Sequence, residues 1–287
     1  MTRASTLRDR IVHEIDAADF GALGLHILAG DEAAEHRWAP DERIDIQPVA
    51  KGVCVLAAAI AADEGAISFD APVAASFPGW EFGAGVENVT LRDLLTMSSG
   101  IDLPWSETMM TDWPDLAVEF LRRPTTGRSF QYSNASTYTA MRVLAAHVGD
   151  VHDYLESRLF TPLGIVAPEW ERCPNGYIIA GGGLFLRTEE MARIGRLIRD
   201  RGVWRGRRLI GAQHVDRMHS DWVECGESTG YERYALAGWD GPGPGWRLHG
   251  AYGQLLIFVD DAVVAITADD HVGADAVAST IMLMTAE

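Results

Sequence analysis

A chain of 287 residues with 47% hydrophobic and 9% aromatic content is long enough for one large domain or a core with an inserted subdomain, and its composition shows no sign of disorder. The formal net charge of −17 argues against nucleic acid or an anionic membrane as partner, since both are negative; solubility is the plainer account of that charge. Residues 1–18 carry no apolar run fit for a secretory leader and no later stretch reaches spanning length, so a cytoplasmic setting is expected.

In chain order, Gly24 to Leu28 reads as a strand, Gly30-Asp31-Glu32 as a turn, and Ala34 to Trp38 as a second strand. Val49 to Glu64 is small and apolar throughout, which suits a buried helix better than an amphipathic one. Pro48 stands where a first helical turn tolerates proline, and Gly65 supplies the stop. Thr90 to Met97 reads as a short helix capped by Thr90, with Asp93 in its first turn. Further helices are expected over Asp112 to Arg122, Ala135 to His147 and, with one apolar face, Thr188 to Arg201. Gly238 to Gly245 reads as a loop. Leu255 to Val259 and Val263 to Thr267 look like closing strands around an Asp260-Asp261 turn, and Ala274 to Met284 like a terminal helix. Strands near both ends with a helical middle predict an α+β fold. Its antiparallel sheet is built from both termini, within a single domain (1–287) that carries a mainly helical subdomain at about 70–190.

Cys54, Cys173 and Cys225 are odd in number and widely spaced. They suggest neither a metal signature nor a disulfide framework, so reduced thiols and no metal or cofactor are expected. The cations carry more information. Of 24 Lys plus Arg, a single lysine, Lys51, stands among 23 arginines. Arginine keeps its proton in proteins, whereas lysine shifts its pKa when desolvated. A lone lysine is therefore a candidate for work that arginine cannot do.

Three stretches carry a family pattern. The first is Asp45-Ile46-Gln47-Pro48-Val49-Ala50-Lys51-Gly52, the second Phe130-Gln131-Tyr132-Ser133-Asn134, and the third Leu248-His249-Gly250-Ala251-Tyr252-Gly253-Gln254. Leu94 to Ile101 and Gly181-Gly182-Gly183-Leu184 widen the match. Together, and in this order, they resemble the serine β-lactamase/penicillin-binding-protein superfamily, in its class C, esterase and 6-aminohexanoate-dimer-hydrolase-like branch. That family writes Ser-x-x-Lys, Tyr-x-Asn and a Lys-Thr-Gly or His-Gly-x-x-Gly-Gln element. One helical turn sets its serine beside its lysine, and the tyrosine shares the proton relay.

The resemblance implies that Lys51 and Tyr132 are the acid–base pair. It also implies that Asn134, His249, Gly250 and Ala251 bind substrate, and Trp239 and Trp246 could line the pocket or simply pack. Trp80, Trp105 and Trp113 raise the same question. The departure is central: Pro48 occupies the serine's place and carries no nucleophile. Ser133 has no adjacent base by spacing. Three functions follow as expectations. One is a non-acylating acid–base enzyme of isomerase, lyase or cyclase type acting on a small apolar substrate. The others are a binding pseudoenzyme and a weak hydrolase with another nucleophile. The partner expected is a small molecule, and the sequence leaves the oligomeric state open.

Overall fold

The computed structural model describes residues 1–104, 106, 115–226 and 232–286. The chain opens with helix α1 (Arg3–Ala17), followed by strands β1 (Ala22–Ala29), β2 (Glu32–Arg37) and β3 (Ile44–Asp45). A 3-10 turn, Gln47–Val49, leads into α2 (Ala50–Asp63). The helical stretch continues with α3 (Leu91–Leu95), α4 (Leu116–Arg122), α5 (Asn134–Val148), α6 (Val151–Leu155) and α7 (Thr161–Leu163). After β4 (Phe185–Leu186) come α8 (Thr188–Arg199), β5 (Val203–Trp204), β6 (Arg207–Arg208) and α9 (Ala212–Asp216). The chain closes with β7 (Val223–Glu224), β8 (Arg233–Tyr234), β9 (Trp239–Asp240), β10 (Trp246–Gly250), β11 (Gln254–Val259), β12 (Ala262–Ala268) and α10 (Ala274–Thr285).

Eight strands form one antiparallel sheet in the order β2-β1-β12-β11-β10-β9-β8-β7. The N-terminal hairpin therefore pairs with the C-terminal strands, as the sequence pattern predicts. Every residue of β11 and β12 is buried, because helices cover both faces. One face is closed by α1 and α10, whose Ile11, Ile15 and Ile281 pack on Leu255, Ile257, Val264 and Ile266. The opposite face meets α2 and α8 through Leu248, Leu256, Val263 and Ala265. Alternation along each strand keeps the two sets apart.

Three elements differ from the sequence expectation. Helix α1 was not anticipated, although Ala4, Leu7, Ile11 and Ile15 recur at helical spacing and are its buried residues. Trp239–Asp240, expected in a loop, pairs with Trp246–Arg247 as strand. The helix expected from Asp112 begins at Leu116, with Asp115 accepting from Ala117 N at 3.1 Å as its cap; residues 112–114, and with them Trp113, lie outside the described residues, as does Trp105. Elsewhere the local signals hold. Thr90 accepts from Asp93 N at 3.2 Å while the Asp93 carboxylate accepts from Thr90 N at 3.0 Å, a reciprocal cap for α3.

Candidate functional site

The site grows from the start of α2. This helix is buried from Ala50 to Ala61 and lies against β10 closely enough that a Cβ on Gly52 would meet Leu248 Cδ1 at 2.4 Å. Such a helix has no solvent-facing side for a charge, yet Lys51 sits in its first turn, 2% exposed. Its Nζ donates to Asn134 Oδ1 at 2.7 Å and lies 5.2 Å from the centroid of the Tyr132 ring. Burial pulls the amine down from 10.5 to about 7, with the Cys54 thiol pulling weakly the other way. That thiol is itself pushed up to about 12 by burial, so it remains neutral, and it donates to Ala180 O at 3.5 Å.

Pro48 stands one helical turn before Lys51, in the Gln47–Val49 turn that feeds α2. Spacing of three puts the pyrrolidine and the amine on one face. Gln47 adopts φ +54, a left-handed backbone rarely taken by a residue with a side chain. Asp45 holds it there: Asp45 Oδ1 accepts from Gln47 N and from Gly183 N, each at 2.8 Å, and Asp45 Oδ2 accepts from Gln47 Nε2 at 2.6 Å. One carboxylate thereby ties the start of α2 to the Gly181-Gly182-Gly183 loop. Burial raises the Asp45 pKa and outweighs these hydrogen bonds, which lower it.

Glycine is required where this loop meets the lysine's partner. A Cβ on Gly181 would stand 2.8 Å from Asn134 Oδ1, and one on Gly250 would stand 2.7 Å from Ile46 O. The loop thus closes on Asn134, and the end of β10 on the turn that feeds α2. Ala251, exposed, follows Gly250 at the rim. The remaining wall is aromatic. Trp239 lies 5.5 Å from Tyr132 between ring centroids, with Tyr234 4.6 Å and Phe130 6.0 Å from Trp239. Tyr234 is 1% exposed and its hydroxyl has no hydrogen-bond partner among the described residues.

Of the residues singled out in the sequence, Lys51, Tyr132, Asn134, Pro48, Gly250, Ala251 and Trp239 gather here. Two do not. His249 alternates with Leu248 and Gly250, and it pairs across the ladder with Leu255, on the α1/α10 face. Its Nδ1 lies 3.3 Å from Asp275 Oδ1 of α10, and Arg247 Nε donates to it at 3.3 Å. Burial lowers its pKa to about 4, so the ring is neutral at pH 7. Trp246 packs inside the core, stacked on Phe258 at 4.1 Å and tilted against His219 at 5.1 Å. Trp80 likewise stacks on Phe77 at 4.2 Å. Ser133 is 1% exposed and its Oγ has no hydrogen-bond partner among the described residues.

Asp45 was not singled out by sequence reasoning, nor were Phe130 and Tyr234; the only sequence signal for Asp45 was a carboxylate three residues before Pro48. Asp150, His152 and Asp153 also come within 4.8 Å of one another, a spacing not anticipated for a metal. Asp150 there is paired with Arg172 and caps Asp153 N, and His152 Nε2 is bonded to Pro168 O. This cluster is held by structural partners.

The Beta-lactamase family model matches residues 20–282. The chain belongs to the Beta-lactamase family. Three solved β-lactamase-fold structures are similar over almost the whole length. A provisionally named β-lactamase from Bacteroides dorei superposes with a TM-score of 0.80 at 18% identity, covering 99% of this chain and 99% of that one. A class C β-lactamase from Rhodobacter sphaeroides gives a TM-score of 0.74 at 19% identity, covering 97% and 98%. A provisionally named 6-aminohexanoate-dimer hydrolase from Bacillus anthracis gives 0.76 at 15% identity, covering 96% and 81%. At these identities the likeness is one of β-lactamase fold. No curated protein matches. Among the described residues no helix is long and apolar enough to cross a membrane.

Proposed function

We propose that this member of the Beta-lactamase family does not form an acyl-enzyme and works instead as a proton-transfer enzyme of isomerase, lyase or cyclase type on a small apolar substrate, in a cytoplasmic setting. The observation that carries the reading is the Lys51 amine. It is buried, tuned to about 7 and held by Asn134, while the side chain one turn before it is a proline ring. A neutral amine directs one N–H at Asn134 and keeps its lone pair for a substrate proton. A base with a pKa near ambient pH serves general acid–base catalysis well. Acyl transfer needs an attacking oxygen or sulfur, and proline offers neither. The wall of Tyr132, Trp239, Tyr234 and Phe130 favours an apolar substrate, and Tyr132, its ring centroid 5.2 Å from the amine, is the group proposed to take or return the second proton.

The test combines labelling with substitution. A fluorophosphonate probe is expected to leave the wild-type chain unmodified, and Pro48→Ser is expected to gain covalent labelling at residue 48. Labelling of any wild-type serine, mapped by mass spectrometry, means that the chain is a hydrolase with another nucleophile. If turnover of a substrate found by screening survives both Lys51→Ala and Tyr132→Phe, the acid–base reading fails. A ligand that binds without turnover and with little dependence on Lys51 makes the cleft that of a binding pseudoenzyme.

A further inference from the structure

A second cleft, of about 420 Å³, lies away from Lys51, between α8, the α7 turn, the β1–β2 edge of the sheet and the β5–β6 hairpin. This volume falls in the range of small-molecule sites. Its floor is apolar, from Leu28, Ala33, Pro162, Leu163 and Ala192. Arg193, Arg196 and Arg205 line its rim against one carboxylate, Glu189. Arg193 pairs with Glu189 at 2.6 Å; Arg196 pairs through Nε with Asp200 at 3.3 Å and more loosely, at 3.8 Å, with Asp31. Arg205 has no carboxylate partner among the described residues; its guanidinium lies over Trp204, 5.6 Å from the ring centroid, as does that of Arg196. Of the three arginines that line the cleft, Arg205 is the one without a carboxylate partner among the described residues.

Two further observations point the same way. The β5–β6 turn has positive φ at both central residues, Arg205 at 48° and Gly206 at 79°, the two-residue hairpin geometry that favours Asn or Gly at the first place. Arginine holds that place against its backbone preference, and a strained position persists where the side chain has a use. In the same wall, the Trp204 indole N–H is buried without a hydrogen-bond partner among the described residues, with Trp204 only 7% exposed, while His26 Nδ1 lies 3.8 Å from Glu35 Oε2. Among the described residues, the Trp204 N–H and the Arg205 guanidinium are thus the groups of this wall left without an acidic partner.

We infer that this cleft is a second binding site, for a small organic acid whose apolar body fills the hollow and whose carboxylate is gripped by Arg205 with Arg196. The test uses octanoate as probe, with octan-1-ol as its uncharged counterpart, by titration calorimetry. Octanoate is expected to bind the wild-type protein, and octan-1-ol at least about tenfold more weakly, since a hydrogen-bonded charge is what separates them. Arg205→Asn keeps a residue suited to the turn. It should hold or raise the thermal midpoint while weakening octanoate about tenfold or more, and Arg196→Gln should weaken it as well. Arg201→Gln, a fully exposed arginine paired with Asp216 outside the cleft, should leave octanoate binding unchanged. The inference is overturned if octanoate does not bind, if the alcohol binds equally, if Arg205→Asn binds like wild type, or if Arg201→Gln costs as much. A lower midpoint in Arg205→Asn would give the arginine a structural purpose and also sink it.

Discussion

Replacing Lys51 by methionine, a side chain of similar length without charge, tests the site through folding stability alone. The drop from 10.5 to about 7, at about 1.36 kcal/mol per pH unit, corresponds to about 5 kcal/mol of folding free energy forgone. The sign follows from the protons. Above 10.5 both folded and unfolded states carry a neutral amine and the cost vanishes; between 10.5 and about 7 only the unfolded chain binds the proton, so stability falls as pH falls; below about 7 the cost is complete. Against this, Lys51→Met leaves Asn134 Oδ1 without its donor, at about 1–3 kcal/mol. The variant should therefore be more stable than wild type by about 2–4 kcal/mol below neutrality and less stable by about 1–3 kcal/mol at alkaline pH. Guanidinium unfolding of both proteins at about pH 6, 8.5 and 10 reads this out, because every other titrating group cancels in the difference. A difference that stays flat across that range, or a variant already weaker at about pH 6, refutes the buried low-pKa amine.

Further outcomes follow from the same geometry. Asp45→Ala strips two backbone N–H groups and the Gln47 amide of their acceptor, and should cost about 3 kcal/mol in denaturant unfolding, whereas Asp45→Asn, which still offers a carbonyl oxygen, should recover most of it. Gly181→Ala drives a methyl to within 2.8 Å of Asn134 Oδ1; it should lower stability by about 1–3 kcal/mol and displace the lysine's partner. Since Lys51 is the single lysine, protein labelled with 13C at lysine Cε should give one lysine signal. Its titration should have a midpoint at about 7 in wild type and move in Gly181→Ala.

How far the residues alone reach can be judged element by element. Period-two and continuous apolar runs marked β1, β11, β12 and the buried α2, and Thr90 with Asp93 marked the start of α3; these signals are local, because side-chain period and capping are settled within a few residues. The rarity of lysine and the spacing of Pro48, Lys51, Tyr132 and Asn134 pointed to residues that the fold does bring together. One sheet from both termini was expected from strands at both ends around a helical middle, but the register of β1 on β12 was not, as no local signal specifies a partner more than two hundred residues away.

Facing is what reading the chain left open. His249 and Trp246 lie in the right strand, but the pleat of β10 turns His249 toward Asp275 on the far side and lays Trp246 on Phe258 in the core. A strand's alternation is visible in the sequence; which of its two faces meets α2 depends on register and on the helices that cover the sheet. Asp45 escaped notice for a related reason, since its partner Gly183 is 138 residues distant and only folding brings the glycine loop to the start of α2. The lysine's identity was fixed by the chain. Its lowered pKa was decided by burial on all sides, a property of the packed interior and of no residue by itself.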